Sequence, residues 1–213
     1  MEKIIVIGNG GHARSVVDTI EKQGIYEIGG YVVEDEGGAT SIGDYPVIGR
    51  DSNLEEIFRN GIRNAVIGIG FLGRSDIRKK MYFELKRIGY SFPMICDPTA
   101  IIASRITADE GTFVGKGAVI NTGVRIGRMS IINTGAIVEH DCQIGDFSHV
   151  AVGAVLCGGV LLGEETFVGA NATVIQGINI QKGSIVGAGE TVRRNMPERT
   201  LYYHGREKII RKK

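Results

Sequence analysis

A six-residue repeat runs through the C-terminal half of this 213-residue chain. Every sixth position from 114 to 192 holds Val, Ile or Leu, fourteen positions in all. These positions are Val114, Ile120, Ile126, Ile132, Val138, Ile144, Val150, Leu156, Leu162, Val168, Val174, Ile180, Val186 and Val192. At 43% hydrophobic residues, chance would produce such a run on the order of once in 10⁵ trials. A period of six matches neither a helix nor a single strand.

The repeat fits short strands joined by tight corners. Four residues after each aliphatic position the side chain is mostly small, as at Ala118, Ala136 and Ser148. The residue directly after the aliphatic is often Gly or Asn, as at Gly115 and Asn133, and both tolerate left-handed turn conformations. Three such hexads make one eighteen-residue coil, so the segment predicts a parallel β-helix whose aliphatic side chains fill a narrow prism.

The N-terminal part of the chain predicts a small α/β domain with a Rossmann-like parallel sheet. Residues 3–8 form an apolar run typical of a buried strand, and a glycine turn and a helical pattern follow. Further strands are predicted at 30–33 and 65–69, separated by helical segments. We therefore predict two domains, an α/β domain at 1–97 and an all-β β-helix with a C-terminal tail at 98–213.

Composition excludes some partners. The chain has 25 basic and 24 acidic residues, a net charge of +1, so it lacks the electrostatic footprint of a nucleic-acid or membrane-surface protein. We expect neither a signal peptide nor a membrane span. Three cysteines, Cys96, Cys142 and Cys157, cannot all pair and form no CxxC motif. They indicate a cytoplasmic protein whose thiols are packing residues.

Two features of the first domain suggest a nucleotide ligand. The turn Gly8-Asn9-Gly10-Gly11 can place backbone N–H groups against a phosphate at a helix N-terminus. It is not the full dinucleotide fingerprint, and a plain strand-to-helix turn explains it almost as well. Glu34 and Asp35 follow the second predicted strand and can accept hydrogen bonds from a ribose or a base. A solvated acidic loop is the alternative, and the better one if the glycine turn is disregarded.

Two of the four histidines lie inside the repeat. His140 is followed by Asp141, and a carboxylate beside an imidazole fixes its tautomer and raises its basicity, as a general base requires. A surface histidine is the alternative interpretation. His149 is predicted to face a different side of the same β-helix. The two histidines can therefore share a site only across a subunit boundary, unless one of them is structural.

Four segments carry a resemblance to a known family. They are Gly10-Gly11-His12, Ile69-Gly70 with Ile77-Arg78, Asn133-Thr134 with Glu139-His140-Asp141, and Asp146-Phe147-Ser148-His149-Val150 with Val152-Gly153. Together they are similar to the sialic acid O-acetyltransferase-like family of hexapeptide-repeat sugar acyltransferases, especially to bacterial nucleotide-amino-sugar N-acetyltransferases. The resemblance covers nearly the whole chain. It implies left-handed winding of the β-helix, acetyl-CoA as acyl donor without a metal, and a homotrimer with active sites between adjacent β-helices.

The resemblance also implies residue roles. His140 would be the general base and Asp141 its orienting partner. The residues implied to approach acetyl-CoA are His149, Gly158, Ala170 and Ala188. The residues implied to hold the nucleotide-linked amino sugar are Gly10, Gly11, His12, Glu34, Asp35 and Gly70. The chain departs from the family at Glu34-Asp35, where many members have two aspartates, and at residues 204–208, which replace a Gly-x-Pro-Ala-Lys motif.

The predicted reaction is direct transfer. An amine of the sugar attacks the thioester while His140 removes its proton, and a backbone N–H stabilises the oxyanion. Cys142 and Cys157 are assigned to packing instead of an acyl-cysteine. O-acetylation of a sialic acid-type sugar is an alternative with the same donor. A zinc β-helix hydratase would need three histidine ligands, and a non-catalytic scaffold would leave the His140-Asp141 pair without a purpose.

Overall fold

A computed structural model describes residues 1–34, 40–71, 73, 76–204 and 206–210. The chain divides into two compact units. The first unit comprises Met1–Phe71 and Asp76–Pro98, and the second comprises Leu72–Ser75 and Thr99–Lys213. Among the described residues, none of the helices has the length and apolar character needed to cross a membrane.

The first unit is a parallel sheet with helices, which confirms the predicted α/β class. Its strands are β1 (Glu2–Ile7), β2 (Tyr26–Val32), β3 (Ser41–Ile42), β4 (Tyr45–Gly49), β5 (Asn64–Ile67) and β6 (Ile95–Cys96). Its helices are α1 (Gly11–Gln23), α2 (Leu54–Arg59) and α3 (Asp76–Ile88), and a 3-10 turn spans Asp51–Asn53. Five strands form one sheet in the order β3-β4-β2-β1-β5.

Strand β1 is the centre of this sheet. It pairs in parallel with β2 on one side and with β5 on the other. Ile4, Ile5 and Val6 are fully buried, as expected for a strand covered on both faces. The chain adds β2 and β4 on one side of β1 and then adds β5 on the other side. The carboxyl ends of β1, β2 and β5 therefore border the point where the strand order reverses, a topological switch point. Open α/β sheets bind ligands at such an edge.

The second unit consists of two-residue strands at six-residue spacing. They are β7 (Ile101–Ile102), β8 (Thr107–Ala108), β9 (Phe113–Val114), β10 (Val119–Ile120), β11 (Arg125–Ile126), β12 (Ile131–Ile132), β13 (Ile137–Val138), β14 (Gln143–Ile144), β15 (His149–Val150), β16 (Val155–Leu156), β17 (Leu161–Leu162), β18 (Phe167–Val168), β19 (Thr173–Val174), β20 (Asn179–Ile180), β21 (Ile185–Val186) and β22 (Thr191–Val192). A terminal hairpin follows, formed by β23 (Thr200–Tyr203) and β24 (Arg206–Ile209).

These strands form three faces of a left-handed parallel β-helix, as predicted. The first face contains β7, β10, β13, β16, β19 and β22, and the second contains β8, β11, β14, β17 and β20. The third face contains β9, β12, β15, β18 and β21. Each strand pairs with the strand one coil later, as Ile120 pairs with Val138. All fourteen aliphatic residues of the repeat are at most 4% exposed, so they form the core.

The left-handed corners lie elsewhere in the hexad than the sequence suggested. Positive φ angles occur at every sixth residue from Gly111 to Gly189, which from Gly117 onward is three residues after an aliphatic of the repeat. The glycines directly after the aliphatics have no such φ and serve close approach between coils instead. A Cβ on Gly145 would lie 2.5 Å from the backbone nitrogen of Glu164 on the next coil. Glycine at these two positions of the hexad therefore meets two different constraints.

Candidate active site

The residues predicted to hold a nucleotide-linked sugar border the carboxyl edge of the first unit's sheet. Gly8 follows β1, Glu34 follows β2 and Gly70 follows β5. Gly8 has a φ of 87°, and a Cβ there would lie 2.8 Å from Cγ1 of Ile69. A Cβ on Gly70 would lie 3.3 Å from Cβ of His12. Close packing of the two loops after β1 and β5 thus brings His12 and Gly70 together, with Glu34 exposed at the same edge.

The N-terminus of α1 is open at this edge. Its N-cap, Gly10, makes no side-chain capping hydrogen bond, and the first turn contains no acidic residue. A Cβ on Gly10 or Gly11 would meet no atom within 4 Å. The first N–H groups of a helix have no partner inside the helix and carry its positive dipole end, so this site suits an anion such as a phosphate. Asp35 lies outside the described residues.

Arg78 donates hydrogen bonds to the backbone at the carboxyl end of β5. Its side chain is only 2% exposed, and its Nη1 donates to the carbonyl oxygen of Ile67 at 2.9 Å and to that of Ile69. Burial lowers the pKa of Arg78 to about 10, so the guanidinium remains a cation at neutral pH. Arg78 therefore fixes the segment leading to Gly70, a role that sequence reasoning did not assign.

His140 and Asp141 form an exposed pair on the β-helix, at the corner after the first face. Nδ1 of His140 lies 2.9 Å from Oδ2 of Asp141, and the two side chains are 53% and 72% exposed. The hydrogen bond to Asp141 raises the pKa of His140, desolvation partly opposes the increase, and the charges of Asp141 and Glu139 add to it. Since Asp141 accepts from Nδ1–H, the tautomer leaves Nε2 of neutral His140 as a proton acceptor.

Glycines on neighbouring coils make room for this pair. A Cβ on Gly158, one coil above, would lie 2.6 Å from both Nε2 and Cε1 of His140. A Cβ on Gly123, one coil below, would collide with Oδ1 of Asp141. Asp141 itself adopts the left-handed conformation, with a φ of 61°, which Asp tolerates better than most residues. The backbone at Gly158 thus lies next to the edge of the imidazole that carries Nε2 and Cε1.

Glu139 and Asn121 support the pair, and sequence reasoning did not identify their contact. Oε2 of Glu139 accepts from Nδ2 of Asn121 at 2.9 Å and from the backbone N–H of His140 at 3.2 Å. Oδ1 of Asn121 accepts from the backbone N–H of Thr122 at 2.7 Å, which orients the amide. Asn121 precedes Glu139 by eighteen residues, the length of one coil, so the repeat itself contained the signal for this contact.

His149 does not join His140 within this chain, because it lies on the third face. Its side chain is 6% exposed and stacks edge-on against Phe167, with ring centroids 5.2 Å apart. Its Nε2 lies 3.1 Å from Nδ2 of Asn133, whose Oδ1 accepts from the N–H of Thr134. Because Oδ1 already accepts, the amide nitrogen of Asn133 faces Nε2 of His149 as a donor. A contact of His149 with acetyl-CoA stays a prediction.

The other residues predicted to approach acetyl-CoA lie at two corners of the prism. Gly158 shares the corner between the first and second faces with His140. Ala170 and Ala188 lie one coil apart at the corner between the third and first faces. His140 and Gly158 therefore lie at one corner of the first face, and Ala170 and Ala188 lie at its other corner. A single chain does not bring the two groups together.

The cysteines are free thiols. Cys142 is fully buried, its Sγ donates to the carbonyl oxygen of Cys157 at 3.2 Å, and burial raises its pKa to about 11. The packing role predicted for Cys142 is confirmed, while half-buried Cys157 lies at a corner. Among the described residues, no three His, Cys, Asp or Glu side chains are grouped to hold a metal ion.

Comparisons with known proteins agree with this arrangement. Residues 3–85 match the family model described as the PglD N-terminal domain. The chain is similar to perosamine N-acetyltransferase from Caulobacter crescentus, with 32% identity, a TM-score of 0.91, and coverage of 100% of this chain and 98% of that chain. It is also similar to the acetyltransferase domain of PglB from Neisseria gonorrhoeae FA1090, with 28% identity, a TM-score of 0.87, and coverage of 99% and 100%. No curated protein matches the sequence.

The fold is shared more widely. WeeI from Acinetobacter baumannii AYE is 20% identical, with a TM-score of 0.78 and coverage of 99% of this chain and 100% of that chain. The identity and full coverage of the Caulobacter enzyme show the family. The chain belongs to the hexapeptide-repeat sugar acyltransferases, as the sequence resemblance implied, and it is an acyltransferase.

The contact between His140 and Asp141 predicts a measurable pKa change. Replacing Asp141→Asn removes the main cause that raises the pKa of His140, so we expect this pKa to fall. Glu139→Gln removes only the smallest contribution and should lower the pKa less. NMR titration of the His140 Cε1–H resonance measures both changes. An unchanged pKa in Asp141→Asn would contradict the contact.

Proposed function

We propose that this chain transfers the acetyl group of acetyl-CoA to the amine of a nucleotide-linked amino sugar. The observation that carries the proposal is the exposed His140-Asp141 pair, whose Nε2 edge lies against the backbone of Gly158. The Caulobacter enzyme was solved in complex with CoA and GDP-perosamine, and the PglB domain in complex with acetyl coenzyme A. Two of the Caulobacter structures are of variants in which a histidine is replaced by asparagine or alanine.

The proposed mechanism is a direct transfer without an acyl-enzyme. The neutral amine of the sugar attacks the thioester carbonyl carbon, and Nε2 of His140 takes a proton from the amine nitrogen. Asp141 holds Nδ1–H and stabilises the imidazolium that forms. The tetrahedral intermediate then collapses, the C–S bond breaks, and CoA leaves as a thiolate that takes the proton from His140. A backbone N–H at the Gly158 corner is the proposed donor to the oxyanion.

The nucleotide end of the sugar is assigned to the first unit. We place its phosphates at the open N-terminus of α1, near Gly10, Gly11 and His12. Glu34 and Asp35 are assigned to the ribose or base. Gly70, in the loop after β5, is assigned to the other side of the site at this edge. We place the reaction in the cytoplasm, which the three free thiols support. O-acetylation of a sugar hydroxyl is the alternative, because the same base and donor would serve it.

The first test is CoA thiol release from acetyl-CoA with a panel of nucleotide-linked amino sugars and matching hydroxyl sugars. We expect release with an amino sugar, and we expect His140→Ala to lower turnover by about 10² to 10⁴ because general-base assistance is lost. An unchanged unfolding midpoint would exclude misfolding as the cause. Release only with a hydroxyl sugar would move the assignment to O-acetylation. Near-normal turnover of His140→Ala would contradict the base assignment.

The contact of Gly158 with His140 predicts the effect of a single methyl group. Gly158→Ala should displace the imidazole and lower turnover by about 10², because catalysis requires the base to be positioned within a fraction of an ångström. Gly159→Ala is the control. Its φ of 68° makes alanine costly by about 1–2 kcal/mol in stability, but its Cβ would meet no atom within 4 Å. Equal turnover losses in the two variants would mean that backbone strain, and not the ring contact, matters.

We further propose that the chain works as a homotrimer packed through the first face. The outward residues of this face are β-branched: Ile101, Val119, Ile137, Val155, Thr173 and Thr191. Ile101 is 66% exposed, and the others are half-buried. The second face instead presents Thr107, Arg125, Gln143 and Asn179, with Leu161 as the apolar residue among them. In a cyclic trimer with the first faces inward, the His140 corner of one copy meets the Ala170 corner of the next, which would complete the acetyl-CoA site.

A charge on the first face should separate the subunits. Wild-type protein should have three times the 22.9 kDa chain mass by light scattering after size exclusion. Val119→Lys should produce a smaller species, because burying an unpaired ammonium costs several kcal/mol. Leu161→Lys, on the second face at 38% exposure, is the control and should remain trimeric. If Val119→Lys stays trimeric and Leu161→Lys dissociates, the interface lies on the second face and the proposal is contradicted.

A further inference from the structure

The backbone N–H of His140 is bonded to a side chain, whereas its backbone neighbours are bonded between coils. The carbonyl oxygen of His140 accepts from the N–H of Gly159 on the coil above, at 2.9 Å. The N–H of Asp141 donates to the carbonyl oxygen of Thr122 on the coil below, at 3.0 Å. The N–H of His140 instead donates to Oε2 of Glu139, at 3.2 Å. The Glu139 carboxylate therefore completes the backbone hydrogen bonding of the residue that carries the proposed base.

Other corners of the β-helix treat this hexad position in the same way. The N–H groups of Thr122 and Thr134 each donate to Oδ1 of the asparagine before them, at 2.7 and 2.8 Å. The N–H of Arg128 donates to Oδ1 of Asp146 at 3.1 Å. At each of these corners the residues on either side make the bonds between coils, so a side-chain oxygen serves the N–H that lies between them. The hydrogen bond from His140 to Glu139 therefore meets a regular requirement of the corner.

Glu139 needs a second contact to hold this geometry, because its side chain is longer than that of asparagine. The additional rotatable bond leaves the carboxylate less determined by its own backbone. Nδ2 of Asn121, on the coil below, donates to the same Oε2 at 2.9 Å. Oδ1 of Asn121 accepts from the N–H of Thr122, so one end of the amide fixes the direction of the other. Asn121 thus holds the oxygen to which the His140 N–H donates.

The sequence Ile-Asn-Thr-Gly occurs twice in the repeat, at 120–123 and at 132–135. In both copies Oδ1 of the asparagine accepts from the N–H of the threonine, which leaves Nδ2 to donate onward. In the second copy Nδ2 faces Nε2 of His149 at 3.1 Å. In the first copy Nδ2 donates to Glu139, which holds the N–H of His140. Each histidine of the repeat thus depends on an asparagine amide that its own corner orients.

We infer that Asn121 is a positioning residue for the proposed base His140 and acts on it through Glu139. The inference rests on the proposed acetyl transfer, because it assigns Asn121 a role in that reaction. Both hydrogen bonds of the Asn121 amide lie within the corner that carries the base. Their loss should loosen the backbone at His140 and displace Nε2 from the acceptor amine. Such a displacement lowers kcat and leaves the KM for both substrates unchanged.

The test is a double-mutant cycle on acetyl transfer, measured with acetyl-CoA and the amino sugar of the panel that the wild-type protein acetylates fastest. Asn121→Ala and Glu139→Ala should each lower kcat roughly tenfold, with unchanged KM for both substrates. The double variant should lose the same factor, because the two residues act as one unit, whereas independent roles would multiply to about 10². Glu139→Gln should retain most of the turnover, since its amide oxygen still accepts from Asn121 and from the His140 N–H.

Asn179→Ala is the matched control. Asn179 lies on the outward side of β20, on the second face, and its replacement should leave kcat unchanged. A second measurement needs no substrate. Labelling with ¹⁵N-histidine isolates the backbone amide signals of the four histidines. Solvent exchange of the His140 N–H should be roughly tenfold faster in both alanine variants, because its acceptor is lost or released, and unchanged in Glu139→Gln and Asn179→Ala.

Circular dichroism and the unfolding midpoint check that each variant is folded. The two alanine variants break the same contact from opposite ends, so a folding defect in one leaves the other decisive. Losses that multiply in the double variant, a raised KM with unchanged kcat, or an unchanged exchange rate of the His140 N–H overturn the inference. If the wild-type protein acetylates no sugar, the proposed function fails, and the exchange rate alone decides whether Asn121 positions His140. Losses that do not multiply, together with faster exchange, support it.

Discussion

Parallel pairing of each coil with the next, in a register of eighteen residues, is the constraint on which the rest of the second unit depends. It stacks like residues above like, so the aliphatic residues form one continuous core and the corners form three columns. The same register builds the corner that holds the His140-Asp141 pair. Asn121 lies below Glu139, Gly123 below Asp141, and Gly158 above His140. The neighbouring coils therefore supply both the side chain that contacts this site and the glycines that leave room for it.

The corner of the His140-Asp141 pair is one of five left-handed corners in the described repeat that lack glycine, with Met129, Phe147, Glu165 and Asn171 at the others. Most left-handed corners are glycine, yet Asp141 occupies one, and left-handed conformations are costly for residues other than Gly, Asn and Asp. At the same corner the neighbouring coils carry glycine where a Cβ would strike the pair. The pair is thus both conformationally constrained and sterically accommodated, which explains how an exposed imidazole can hold one orientation without burial.

How much could be predicted from the sequence differs between the two units. The core of the β-helix follows from a single period, because a solenoid repeats one local solution and needs no long-range information. The sequence prediction assigned the left-handed conformation to the wrong position of the hexad. Glycine occurs both where φ is positive and where two coils approach closely, and the sequence does not distinguish these two uses. In the first unit, the contacts of Arg78 with Ile67 and Ile69 and the burial of Tyr31 depend on how helices pack on the sheet. No local pattern encodes such packing.

Charge placement separates the roles of the two histidines in the repeat. His140 is exposed beside a carboxylate that raises its pKa, so its ring can gain and lose a proton during a reaction. His149 is buried and accepts a hydrogen bond from an amide whose orientation is fixed by the backbone. Of the two, His140 is the exposed histidine paired with a carboxylate, and His149 is the buried histidine packed against Phe167 and beside an amide.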